Sequence, residues 1–347
     1  MKRISILIFT FLLITSCSKE YISRNIKNIK IQEFKIDSTS IRAIQAVDIE
    51  TLYYVGSKGD FGFTSDGGAS WSSIPITYQD SIIPHFRSLA KTDAAFFALS
   101  IGNPALLYKI SIDKTELMYI ENHDKVFYDA IQFFDDGKHG IAVGDPTEAC
   151  PSIILTFDEG NSWRKISCKN LPKFDDGEAF FAASNTNIKT IGSTVWIASG
   201  GKKARILKSD DFGKTWQIYN TPIIQGNGPQ GIYSIDFYDK NNGIAIGGDY
   251  SKPKEKKANK AITKDGGKTW VLVADDQQPT YKSCVQYVPN TCGKEVFAVG
   301  KTGVSFSNDS GNTWITVSKD SYYTIQFVDK NTAWLSGPQK IGKLIFK

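Results

Sequence analysis

The chain has 347 residues, of which 41% are apolar, 22% charged and 12% aromatic. That composition can bury a large core and is unlike that of a disordered, collagen-like or disulfide-only protein. The formal charge is +5, and loss of a leader carrying Lys2 and Arg3 lowers it by two; so weak an excess does not drive binding to a phosphate backbone. Lys252, Lys254, Lys256, Lys257 and Lys260 cluster, but Pro253 and Glu255 interrupt them and the segment reads as a solvated loop. Nucleic acid is not an expected partner.

The N-terminus opens with Lys2 and Arg3, continues through an apolar run from Ile4 to Ile14, and reaches Thr15-Ser16-Cys17. The run is too short to span a bilayer, which takes roughly 20 residues, and has the form of an export signal over residues 1–16. Ile14-Thr15-Ser16-Cys17 resembles the lipobox of bacterial lipoproteins, which implies that Cys17 becomes the fatty-acylated first residue of the mature chain. Residues 17–30 then read as a polar tether, and the protein is expected on a bacterial membrane, in the outer membrane of a diderm, facing the periplasm or the cell surface.

Four more cysteines, Cys150, Cys168, Cys284 and Cys292, are even in number, as in an oxidising compartment. Cys150 and Cys168 flank the turn at Asp158-Glu159-Gly160-Asn161 symmetrically, so they are expected to face each other across one hairpin; Cys284 and Cys292 are the second expected pair. Scattered His85, His123 and His139 and the absence of any C-x-x-C spacing give no zinc site.

Five segments share Ser/Thr-x-Asp-x-Gly-x-Ser/Thr-Trp: Thr64 to Trp71, Thr156 to Trp163, Ser209 to Trp216, Thr263 to Trp270 and Ser307 to Trp314. In such a segment the Asp carboxylate and the hydroxyls accept backbone N–H groups, Gly supplies a conformation other residues resist, and Trp covers the hairpin base. Asp66, Asp158, Asp211, Asp265 and Asp309 are therefore structural. An apolar strand ending in glycine recurs at Gly56, Gly102, Gly144, Gly200, Gly247, Gly300 and Gly337, which counts seven units, with one eight-residue segment decayed near Ser111-Ile112-Asp113. Upstream of each glycine lies a second short strand, as at Arg42-Ala43-Ile44-Gln45, Arg87-Ser88-Leu89, Asp129-Ala130-Ile131-Gln132, Glu178-Ala179-Phe180 and Tyr323-Thr324-Ile325-Gln326. Alternating β-branched and aromatic residues with frequent turn signals argue strands throughout.

The expectation is an all-β fold: a seven-bladed β-propeller over residues 31–347, its ring closed by Ile31 to Ile36 completing the last blade. The residues leading into each innermost strand and the loops after each second strand then share one face. That places Arg42, Arg87, Asp129, Asp145, Glu178, Tyr233, Asp249 and Tyr250 around a central mouth as candidate ligand-binding residues. Two nucleotide-like motifs carry nothing: Gly226-Asn227-Gly228-Pro229-Gln230-Gly231 precedes a strand rather than a helix, and Gly213-Lys214-Thr215 and Gly267-Lys268-Thr269 belong to the Asp-containing turns.

The eight-residue segments are the Asp-box, or BNR, repeat, and with Gly144-Asp145-Pro146 and Gly247-Gly248-Asp249-Tyr250 they make the chain similar to BNR propellers of the photosystem II stability and assembly factor type. Bacterial members are often labelled oxidoreductases, yet no flavin motif, dinucleotide turn or redox cysteine pair accompanies the repeat here, and no cofactor is expected. Sialidases share the Asp-box but need an arginine triad and an early Arg-Ile-Pro motif, and the nearest approach is Phe86-Arg87-Ser88-Leu89. The resemblance implies a binding or assembly platform; together with the lipid anchor, the expectation is a monomeric, membrane-anchored propeller whose mouth takes a protein or a glycan. The alternative is a glycoside hydrolase or lyase that uses the mouth carboxylates.

Overall fold

The protein is described by a computed structural model over residues 21–26 and 29–346. The expected export signal (1–16) and the lipidation site Cys17 lie outside the described residues. Residues 21–26, expected as tether, instead pack on the domain: Ile26 is buried in the cluster that holds Leu344 and Phe346.

Antiparallel hairpins build almost the whole chain, each strand pairing with the next in sequence. They group into six hydrogen-bonded sheets, which corrects the expected seven. The reason is a single strand, Ile29–Ala46, that serves two neighbours. Its first part, Ile29 to Lys35, pairs with Phe346 to Lys340, and its second, Ile41 to Ala46, pairs with Gly56 to Leu52. The backbone turns between the two at Ser38, whose φ is +66°. The units counted separately at Gly56 and Gly337 thereby share one six-stranded sheet, joined through residues some 300 positions apart. The sheets pack through apolar side chains of neighbouring units, as where Ala130, Ile141 and Ile153 meet Val195, Ile197 and Leu207, and the all-β architecture is that of a propeller.

Neighbouring innermost strands are joined largely by side chains, beside a backbone bond from the N–H of Ile235 to the carbonyl of Thr186 at 2.9 Å. Gln326 Oε1 accepts from the N–H of Ala46 at 2.6 Å, Gln286 Oε1 from that of Phe327 at 3.2 Å, and Asp236 Oδ2 from that of Tyr287 at 2.8 Å. Gln45 Nε2 donates to the carbonyl of Leu89 at 2.9 Å. Each stitch satisfies a strand edge that would otherwise be open.

Five hairpin ends carry the Asp-containing segment with the same Asp and Ser/Thr bonding, though the Trp71 indole N–H of the first is buried without a partner. At the first, Thr64 Oγ1 donates to Asp66 Oδ1 at 2.9 Å and accepts from the N–H of Gly68 at 2.9 Å, while Ser70 donates to Asp66 from its N–H at 2.9 Å and from its hydroxyl at 2.6 Å. Gly68 has a φ of +93° and a Cβ there would run into the Phe34 ring, so a side chain is excluded twice over. The indole N–H groups of Trp163, Trp216, Trp270 and Trp314 donate to the carbonyls of Gly160, Gly213, Gly267 and Gly311. In the decayed copy a tight turn joins Ser111 to Lys114, whose backbones bond at 2.8 Å, and leaves Ile112 exposed. These hairpin ends share a face, here the turn face; the loops linking successive sheets open on the opposite one, the mouth face.

One disulfide, Cys150–Cys168, crosses the hairpin that was expected to carry it. The second expected pair is not formed. Cys284 begins the inner strand Cys284–Tyr287 with its sulfur turned into the core toward the carbonyl of Ile325, whereas Cys292 is exposed in the turn beyond the far end of that strand, at a φ of +51°.

Candidate functional site

The mouth is a cleft of about 510 Å³ lined by Arg42, Arg87, Phe127, Asp145, Phe181, Tyr233, Tyr250, Tyr281, Lys301 and Tyr323, among others. Five of the expected residues therefore come together: Arg42, Arg87, Asp145, Tyr233 and Tyr250. Arg42, Arg87 and Tyr233 are each the extra residue at a shift of register in an inner strand, between Ile41 and Ala43, Phe86 and Ser88, and Ile232 and Ser234, and such a bulge re-aims the side chain it carries.

The other three do not line it. Glu178 is buried inside the propeller wall, where its carboxylate accepts from Ser199 Oγ at 2.7 Å, from Arg205 Nε at 2.9 Å and from Arg205 Nη2. The innermost strand of its unit is Ile188–Ile191, and Glu178–Ala179 pairs with Gly200–Gly201 instead. Asp249 closes its own loop, accepting the N–H of Ser251 at 2.9 Å, and these bonds outweigh burial to hold its pKa below the usual value. Asp129 lies beneath the cleft, fully buried, its oxygens making no well-formed hydrogen bond.

The two arginines of the mouth are held in the cleft wall without an ion pair. Among the described residues, the arginines that form ion pairs are Arg24, with Glu295, and Arg205, with Glu178; Arg42 and Arg87 form none. Arg42 lies over the Tyr323 ring, its Cζ 4.1 Å from the centroid, and donates one N–H to the carbonyl of Ala183 at 3.2 Å, while its Nε is buried without a partner. Burial and the neighbouring Arg42 pull the Arg87 pKa down to about 10, against the attraction of Asp129. Burial and the two guanidiniums together hold His85 near 4, so it stays neutral around pH 7.

The acids of the mouth shift the opposite way from ordinary surface carboxylates. Burial raises Asp145 to about 6, even though the N–H of Phe180 donates to it at 2.7 Å. Burial, then the charge of Asp145, drive Asp129 well above the usual range, opposed by Arg87. Most glycoside hydrolases use two carboxylates open to one ligand, and of Asp129, Asp145, Glu178 and Asp249 only Asp145 lines the cleft.

Aromatic rings form the remaining wall. Phe181 stacks on Tyr233 at 3.9 Å with planes 4° apart, Tyr281 meets Tyr233 edge-on at 4.9 Å, and Tyr233 Oη donates to the carbonyl of Pro229 at 2.8 Å. Lys301 donates to the carbonyl of Tyr250 and sits over the Tyr250 and Tyr281 rings, 5.9 and 5.7 Å from their centroids. Reading the sequence missed Phe127, Phe181, Tyr281, Lys301 and Tyr323. Tyr323 occupies the same register as Arg42 and Arg87, two before Ile325, and that register was the signal that could have found it.

The fold has clear counterparts among solved structures. "YCF48 bound to D1 peptide" aligns with a TM-score of 0.67 at 14% identity, covering 94% of this chain and 98% of that one. YCF48 from Cyanidioschyzon merolae gives 0.64 at 14%, covering 90% and 98%, and the RRP9 WD40 repeats give 0.66 at 10%, covering 92% and 100%. At these identities the likeness is one of fold. No protein-family model and no curated protein matches the chain.

Proposed function

We propose that the protein is a lipid-anchored, extracytoplasmic peptide-binding propeller whose mouth takes a protein segment bearing a carboxylate. The observation that carries this reading is the pair of half-buried guanidiniums, Arg42 and Arg87, that face an open cleft and form no ion pair, the nearby acids Asp129 and Asp145 being pushed toward their neutral forms by burial. A cation taken part-way out of water and left unpaired is costly, and a ligand carboxylate removes that cost with bidentate, charge-assisted bonds. The rings of Phe127, Tyr233, Tyr281 and Tyr323 offer the apolar surface that flanks an extended peptide. A propeller of the same fold is described with a peptide bound, which supports a protein partner over a glycan.

The experiment is a peptide-array and titration series with the full chain. Peptides carrying Asp, Glu or a free C-terminal carboxylate are expected to bind, and Arg87→Gln to weaken them about 10- to 100-fold, equivalent to about 1.4–2.8 kcal/mol. Raising salt should weaken binding further, since the cleft is open to solvent. Equal binding by amidated, uncharged peptides, or unchanged affinity in Arg87→Gln, refutes the assignment.

A further inference from the structure

The segment before the first strand is tied down on the turn face. Tyr21 Oη donates to Glu295 Oε1 at 2.6 Å, and Arg24 pairs with the same carboxylate at 2.6 Å. Arg24 also donates to Asn331 Oδ1 and to the carbonyl of Lys330, both at 2.7 Å, and Asn308 Nδ2 donates to the carbonyl of Arg24 at 3.1 Å. Glu295, Asn308, Lys330 and Asn331 all stand at or beside hairpin ends of the turn face. Cys17 precedes Tyr21 by four residues, a length of chain that reaches at most about 14 Å. A domain of this size has a radius of gyration of about 20 Å, so so short a leash does not let the mouth turn toward whatever holds Cys17.

A second feature of the same face points the same way. Ile22 and Ile112 are 87% and 98% exposed, and Val47, Ile49, Phe157 and Tyr238 are exposed beside hairpin ends as well. The mouth face offers fewer, Ile82, Ile83 and Tyr250. Apolar tips ranged over one face are the form that enters the headgroup region of a bilayer. Charge does not recruit this face to anionic lipid, because Asp66, Asp158, Asp211, Asp265 and Asp309 lie on it; apolar contact and the anchor act instead.

We infer that the turn face rests against the bilayer that holds Cys17, with Ile22 and Ile112 at the headgroups, and that the mouth bearing Arg42 and Arg87 points away from it. This rests on the lipid-anchored reading above.

The test uses the full chain, acylated in a bacterial host and reconstituted in phosphatidylcholine vesicles containing a headgroup nitroxide quencher. In a Cys292→Ser background, a fluorophore is attached through Ile112→Cys on the turn face or Ile83→Cys on the mouth face, with Val47→Cys as an independent turn-face position. The expected result is at least threefold more quenching at positions 112 and 47 than at 83. Equal or reversed quenching, with protein that floats with the vesicles, overturns the orientation and leaves the anchor standing. Failure of the acylated chain to float any better than Cys17→Ser overturns the anchor itself, and the orientation with it.

Discussion

On the turn face, Asp66 accepts bonds from the hydroxyl and N–H of Ser70 and from Thr64, and those bonds lower its pKa to about 2. At the mouth, Asp145 accepts one N–H and Asp129 has no well-formed bond at all, and burial raises both. The residue type is the same; the number of donors that fold around it differs. A turn aspartate is completed by its own eight residues and has nothing left to offer a ligand. The mouth acids and arginines are left incomplete by the fold, and unsatisfied groups beside a cleft are where a ligand does the completing.

Glu178 is the sharpest case of a satisfied acid on the wrong side of that comparison. Replacing it by Ala strands the half-buried Arg205 without its partner and is expected to cost about 3–5 kcal/mol in urea unfolding, while the folded fraction keeps its peptide affinity. Loss of binding without loss of stability would return Glu178 to the site. Asp145→Asn probes the unsatisfied class. Because folding raises this pKa from about 4 to about 6, the ionised form opposes the fold, so stability is fully present below pH 4 and falls as pH rises through 6. The amide keeps the acceptor for the Phe180 N–H, so the variant should be about 2–3 kcal/mol more stable than the parent at pH 8 and equal to it at pH 4. It should also bind acidic peptides with a flatter pH profile; an unchanged profile of both stability and binding would remove Asp145 from the unsatisfied class.

The smallest effect is expected at a turn. Asp265→Ala removes the acceptor of the Thr269 N–H at 2.9 Å and of the Thr269 hydroxyl at 2.6 Å, at a cost of about 1 kcal/mol given its exposure. Its carboxyl sits at about 2, slight burial raising it and the hydrogen bonds from Thr269 and Thr263 outweighing that. The contribution is therefore present above pH 4 and lost as pH falls toward 2, and parent and variant should converge there in thermal melts. No change in binding is expected.

What could be read from the chain beforehand was whatever is completed locally. The five turns lie within eight residues each, and the Cys150–Cys168 hairpin within twenty. Arg42 and Arg87 emerged because the repeat register is itself local. Glu178 was misplaced because the innermost strand of its unit, Ile188–Ile191, lies later than the segment that imitates it, and because its partner Arg205 is 27 residues on. The Cys284–Cys292 pairing failed although the spacing is short, since strand direction sends one sulfur inward while the other sits past the far end. The sheet count failed for the most distant reason of all, a pairing between residues 29–35 and 340–346.

That same pairing sets the order in which the molecule can be finished. Until Lys340 to Phe346 have left the ribosome, Ile29 to Lys35 has no strand to lie against, so a nascent or truncated chain presents a raw β-edge at each end of an unclosed arc. Contacts this far apart in sequence form late and slowly. Closing the ring therefore takes a seam between the two ends of the chain, and a premature stop that removes Lys340 to Phe346 takes away the strand against which Ile29 to Lys35 lies.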